Sequence, residues 1–371
     1  MKKLAYSGGR PFWFGLLTLS LTSAGLLSGT AFAQKYQETN LVSNTSQSGV
    51  TTVDPDLVNN WGIARSSTGV WWAADEGKGV ATLYNGSGVK QSLTVTIPQS
   101  GQNPTGTPTG IVSNGSTDFE VESGKPAVFI FAAFDGTISG WNPGANPTVA
   151  IQKVRATPGS VLTGATIAQS KGQNLLYVTD VHEGKIRAFD TNFSPVRLAD
   201  DAFRDDHLSQ KFVPFNIQNI GGNLYVAFAH QNTGKTFITP GANQGAVDVF
   251  SPEGQLLQRL ERGKWFNAPW GLVQASTDFG TFSHSIIVGQ FGSGEILAFN
   301  AVTGEFQGEL EDQNSKVITV PGIWGLAFGA GNANSGAPNQ LFFNAGVDQG
   351  QAGLFGFFAP VATDLTQGND Q

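Results

Sequence analysis

The chain reads as an all-β protein, a six-bladed β-propeller. Three observations carry that reading: a strand–loop–hairpin unit of about fifty residues repeats six times, no strong helical periodicity follows residue 33, and 48 of the 371 residues are glycine. The unit is clearest from Asn267 to Asn300. There an Asn-Ala-Pro turn leads into Trp270-Gly271-Leu272-Val273, a polar loop follows, and Ser285–Gly289 and Ile296–Phe299 flank a glycine-containing turn. Two β-rich runs joined by a tight glycine turn form a hairpin.

The first-strand copies begin Trp61-Gly62, Thr109-Gly110, Thr163-Gly164, Phe215-Asn216, Trp270-Gly271 and Trp324-Gly325, so the second residues recur at intervals of 48, 54, 52, 55 and 54. In five of the six copies that residue is glycine. The innermost strands of a propeller crowd the axis, and a missing Cβ permits close approach there. The hairpins recur as Val70–Asp75 with Ala81–Asn85, Phe129–Phe131 with Gly136–Asn142, and Leu176–Asp180 with Gly184–Asp190. They continue as Leu224–Val226 with Ala246–Phe250, the pair already named, and Leu341–Phe343 with Gly353–Phe355. Aromatic residues at Tyr84, Trp141, Phe189, Phe250, Phe299 and Phe355 fall at one strand position and are expected to pack between blades.

The last copy runs out near Phe358 without an outer strand, while β-compatible residues 37–43 precede the first copy. Residues 37–43 are therefore expected to complete blade six and close the ring, leaving no open edge. The predicted organisation is a signal peptide at 1–33, a propeller at 34–359 and a disordered tail at 360–371. Residues 1–33 carry three basic and no acidic residues, an apolar run from Phe12 to Leu27, and Ala31-Phe32-Ala33 at the expected cleavage point. Secretion to the periplasm or medium follows from that reading, with no transmembrane segment in the mature chain.

The full chain has a net charge of −7; without residues 1–33 it keeps 18 basic against 28 acidic residues, a net charge of −10. No cluster of Lys and Arg is present to replace counterions around phosphate, which excludes a nucleic-acid groove. Cysteine is absent, excluding disulfides, thiolate metal sites and lipid attachment through cysteine. A monomer is expected, stabilised by ring closure and a large β core.

The pattern Asn-x-Trp-Gly-Ile-Ala, then a strand ending Ala-Asp, then Gly-x-Val/Ile-x-x-Tyr/Phe resembles the NHL-repeat propellers. Residues 36–358 more closely resemble a family of exported bacterial NHL-like propellers, many of whose members carry a Pro-Glu-Pro C-terminal sorting tail. The matching stretches are Tyr36–Ser43, Asp54–Ala64, Thr82–Gly88, Asp135–Asn142, Pro214–Val226, Asn267–Leu272 and Ile323–Gly329. The resemblance implies fold and export and brings no catalytic residue to carry over. No sorting motif follows Pro360, so free release rather than anchoring is expected.

Turns within the hairpins and before the innermost strands open on one propeller face. They carry Asp75, Asp135, Asp180, His182, His230, Gln290, Asn60, Asn216 and Asn267. Such a ring of carboxylates and amides suits a polar ligand at the channel mouth, or a Ca²⁺ ion at Asp75, Asp135 and Asp180, since calcium takes six to eight oxygen ligands. Each Asp taken singly also suits a cap on its own turn. The four histidines lie too far apart in sequence for a His-x-His or His-Glu-x-x-His site. Ala229–Thr236 resembles a phosphate loop, but Phe237-Ile238-Thr239-Pro240 cannot begin the helix such a loop needs, so it reads as an insertion in blade four. Asp200, Asp201, Asp205 and Asp206 read as a solvated acidic face. Two functions remain: a non-catalytic module binding a protein, glycan or small ligand on a polar axial face, and a divalent-metal-dependent lactonase-like hydrolase. The residues favour binding.

Overall fold

The computed structural model describes residues 35–46, 49–100, 105–155 and 157–361. The expected signal peptide, and the expected disordered tail from residue 362 onward, lie outside the described residues. Six antiparallel sheets form the six blades. In blade five, for instance, Pro269–Gln274 lies innermost, followed outward by Ile286–Gln290, Ile296–Phe299 and Phe306–Glu309.

Blade six takes three strands from the end of the chain, Ile323–Phe328, Leu341–Ala345 and Leu354–Pro360, and its fourth from the beginning, Tyr36–Ser43. The closure runs antiparallel from Tyr36 opposite Pro360 to Ser43 opposite Leu354, with a bulge between Asn40 and Val42. It begins one residue earlier than the sequence suggests, and Thr52–Val53 adds a short parallel strand outside it. Pro360, placed in the tail by sequence, is part of this ladder, and Val361 N–H donates to Lys35 O at 2.8 Å. Tyr36 is buried, and its hydroxyl donates to Phe279 O in blade five at 2.9 Å.

The core is divided. Six apolar clusters each lie between neighbouring blades, and a seventh lies on the axis. The recurring hairpin aromatics are buried in the inter-blade clusters, as expected. One needs correction: Tyr84, Trp141, Phe189, Phe250 and Phe299 stand opposite Trp71, Phe129, Leu176, Leu224 and Ile286 of the preceding strand, and in blade six the residue opposite the corresponding Leu341 is Phe358 rather than Phe355. The run Leu354-Phe355-Gly356-Phe357-Phe358 offers three phenylalanines, and only pairing selects among them.

The innermost-strand glycines make the ring. A Cβ on Gly62 would lie 2.6 Å from Thr109 O, on Gly110 2.8 Å from Ala165 N, on Gly271 2.5 Å from Trp324 O and on Gly325 2.8 Å from Trp61 O; one on Gly164 would strike Asn216 Oδ1. Each neighbour belongs to the next blade. Asn216 stands where the fourth glycine would be and donates Nδ2–H to Trp270 O of blade five at 2.7 Å. Gly271→Ala is therefore expected to lower unfolding free energy by about 1–3 kcal/mol, the usual range for overpacking. Gly115→Ala, with nothing within 4 Å of the added methyl, is the control. Urea denaturation of both variants checks this, and equal, small effects would show that the blades have room to part.

Candidate functional site

The front face, where the innermost strands begin and the second strands end, holds all nine residues singled out from sequence, but it does not bring them together. Asp75 is fully buried, and its Oδ2 accepts from Thr82 N at 3.0 Å and Thr82 Oγ1 at 2.7 Å. Burial raises its pKa well above the ordinary carboxylate value, which favours the neutral form and weakens it as a metal ligand. Asp135 accepts from Thr137 N and Oγ1 of its own turn and from Ser100 N. Asp180 Oδ1 accepts from Val161 N and Glu183 N, and its Oδ2 lies 3.6 Å from Arg187. Each carboxylate has partners within or beside its own blade, Asp75 Oδ1 and Asp180 Oδ2 being left buried without a hydrogen bond, and among the described residues no three His, Cys, Asp or Glu side chains gather to hold a metal. The calcium site expected at Asp75, Asp135 and Asp180 is not built.

The amides are likewise structural. Asn60 Nδ2 donates to Leu354 O and its Oδ1 accepts from Leu354 N, joining blades one and six. Asn267 N donates to Gln290 Oε1 at 2.8 Å. His182 Nδ1 lies 3.2 Å from Lys235 O in the blade-four insertion, and the ring of His230 packs edge-on to Phe212.

The axis at this face is aromatic, which corrects the expected polar mouth. Trp61, Trp270 and Trp324, each just before an axial glycine, and Phe215, just before Asn216, converge there. Trp61 stacks on Trp324 with centroids 3.5 Å apart and planes 14° apart, and also meets Phe134, Phe215, Phe237 and Trp270. Phe237 and Ile238 come from the blade-four insertion and close over this group. Trp270 Nε1 donates to Thr163 O at 3.1 Å, while Trp61 Nε1 is buried without an acceptor. The sequence signal was present in the Trp-Gly pairs: the glycine explained the contact between blades, and its aromatic neighbour was left without a role.

On the back face, where the innermost strands end, the axis is open. A funnel of about 510 Å³ is lined by residues from all six innermost strands, among them Ala64, Val112, Ala165, Gln218, Val273 and Ala327. It narrows toward the plug into a space of about 30 Å³ beside Gly110, Asn216 and Gly325, room for one water molecule. Six lining residues, including Ile63, Gln218 and Leu326, are shared by the two spaces. Of the eighteen residues lining the funnel, Arg65 is the one that carries a charge. Its guanidinium donates to Phe328 O at 3.0 Å from Nη2, and to Ser66 O and Ser67 O at 3.3 Å from Nη1, and sits 5.2 Å from the Trp71 ring centre. Burial lowers its pKa from the usual guanidinium value, yet the group stays protonated at neutral pH. No sequence reasoning singled out Arg65, because no motif surrounds it.

Comparison with known proteins agrees with this architecture. No protein-family model matches the chain. It is 31% identical over 328 residues to the uncharacterized protein R648 of Acanthamoeba polyphaga mimivirus, covering 85% of this chain and 78% of that one. The chain belongs to the family of that viral protein. A second mimivirus protein, the uncharacterized protein L690, is 29% identical over 316 residues, covering 82% of this chain and 80% of its own length. Among solved structures, virginiamycin B lyase from Staphylococcus aureus superposes with a TM-score of 0.51 at 12% identity, over 88% of this chain and 99% of that one. At such identity the likeness is one of fold. The relatives are viral, and they lend no support to the bacterial origin, export or sorting tail implied by the sequence resemblance.

A second polar cluster corrects the acidic patch. The Asp205 side chain is buried, not solvated: Arg259 Nε and Nη2 donate to it at 2.9 and 2.7 Å, and Arg262 Nη2 binds both Asp205 and Asp248. Arg259 is the main cause that holds Asp205 well below the usual carboxylate range. Burial pushes Asp248 up to about 7, opposed by Arg262 and reinforced by Asp205. A folded pKa above the unfolded one means that the folded state binds more protons between about pH 4 and 7. The stability contributed by Asp248 is therefore full below that window and lost as pH rises through about 7. Asp205 titrates in the opposite sense and below the window. Asp248→Asn is expected to flatten the decline in stability across this range, measured by urea denaturation at a series of pH values. An unchanged slope would mean that another group sets it.

Proposed function

We propose that the protein is a non-catalytic binding propeller that takes a small molecule into the funnel on its back face. The observation that carries this reading is the asymmetry of the axis: aromatic rings seal the front end, and the back end opens into a concave space of a size that suits a small ligand. The funnel walls come from the most constrained strands of the molecule, so the site is preformed and loses little entropy on binding. Its lining is largely aliphatic with a few polar side chains, the usual composition of a small-molecule site.

A thermal-shift screen of small molecules tests the reading, because a ligand that binds the native state raises apparent stability by about 2.7 kcal/mol at a hundredfold excess over Kd. Compounds that stabilise the wild-type protein are expected to lose most of their effect in Ser113→Trp, which narrows the funnel, and to keep it in Phe291→Ala, which removes the ring stacked on Trp324 in the front-face plug. The opposite pattern would move the site to the plug.

We also propose that the chain is exported, on the strength of residues 1–33. Expressed in a secreting bacterial host, the protein is expected to accumulate outside the cytoplasm beginning at Gln34. N-terminal sequencing that finds the uncut chain in the cytoplasm rejects export.

A further inference from the structure

Arg65 is half-buried and, among the described residues, pairs with no carboxylate; Arg155 and Arg204 are likewise unpaired but lie exposed. Arg187, Arg197, Arg259 and Arg262 each lie within 4.0 Å of a carboxylate; Arg65 is paired with none. Its contacts are carbonyl oxygens, which orient a guanidinium without cancelling its charge. Four hydrogen bonds, two of them to Phe328 O, leave one Nη2–H without an acceptor. No Asp or Glu lines the funnel, although the chain is acidic overall.

The neutral polar groups add to this. Asn219 Nδ2 is committed to Ile167 O and its Oδ1 to Gly222 N, and Gln274 Nε2 to His284 O. The side-chain amide of Gln218, lower in the wall and shared with the narrow end, makes no such bond. A half-buried, unpaired cation from blade one and an uncommitted amide from blade four line the same funnel, and each can donate to an anionic ligand. Charge-assisted hydrogen bonds in a partly desolvated setting are the strong ones.

We propose that the ligand of the funnel is an anion bearing a carboxylate or phosphoryl group, held by Arg65 at the mouth and Gln218 in the wall, with its apolar part against the aliphatic strands. This deepens the small-molecule reading and rests on it. The test uses two probes of one shape, 2-naphthoate and 2-naphthamide, titrated calorimetrically into the wild-type protein, Arg65→Gln and Ser113→Trp.

The wild-type protein is expected to bind naphthoate about tenfold or more tightly than naphthamide, a typical gain from one charge-assisted pair. Arg65→Gln is expected to bring the two within about twofold by weakening naphthoate alone. Equal binding of both probes to the wild type, lost in Ser113→Trp, overturns the anion and leaves the funnel standing. Binding of neither overturns both. A preference that survives Arg65→Gln overturns the role of Arg65. Because Arg65 also ties blade one to Phe328 of blade six, the variant is checked for folding by circular dichroism. A second measurement needs no variant: phenylglyoxal labelling of Arg65 in the wild type, followed by peptide mass, is expected to slow with naphthoate and not with naphthamide. Equal labelling with the two probes contradicts the proposal.

Discussion

The ring depends on how closely its innermost strands can approach. Around the axis the absence of Cβ at Gly62, Gly110, Gly164, Gly271 and Gly325 lets the backbone of each blade touch the next. Asn216 replaces the missing glycine with a side chain that reaches across and bonds to Trp270 O. This contact repeats round a closed circle, so it sets the diameter of the axis and everything that lines it. The aromatic plug and the funnel are consequences. In blades one, four, five and six the residue before this glycine or asparagine is Trp61, Phe215, Trp270 or Trp324, whose rings meet at the front of the narrowed axis, and the residues after it line the back face.

Closure of the ring supplies the second constraint. Tyr36–Ser43 pairs with the last strand of the chain, so the sheet of blade six exists only when both ends of the propeller are in place. The inter-blade clusters then bury aromatic and aliphatic side chains between each pair of neighbours, the main favourable term for a fold with no disulfide and no described metal group. The network of the buried carboxylates Asp205 and Asp248 with the more exposed Arg259 and Arg262 joins strands of blade four to the segment that precedes it. Breaking a buried pair is costly even where forming it gains little.

Much of this was legible in the sequence. The fifty-residue period, the glycine at the axial position and the orphan strand at 37–43 followed from counting, and the fold is as expected. Of the front-face residues read as turn residues, Asn60, Asp75, Asp180, His230 and Gln290 are strand-end residues and Asn216 lies inside an innermost strand. Their sequence positions could not show that each carboxylate has a nearer partner: Thr82 for Asp75, Thr137 for Asp135, Val161 N for Asp180. An Asp that caps its own turn and one that awaits a metal look the same in a row of letters. The burial of Asp205 was hidden because Arg259 and Arg262 lie more than fifty residues away. The plug was half visible, since Trp-Gly recurs three times, but that its rings converge depends on ring closure. Arg65 was invisible, because what distinguishes it is half-burial in the funnel wall without a carboxylate beside it, a property of space and not of sequence.

The account's central claim is that the axis has one accessible end and that this end is electrostatically suited to an anion. A crystal soaked in iodide and measured at a wavelength where iodine scatters anomalously tests both parts together. The account predicts its strongest internal peak in the back-face funnel beside Arg65, with none among Trp61, Trp270 and Trp324. Iodide among those rings with an empty funnel would contradict it.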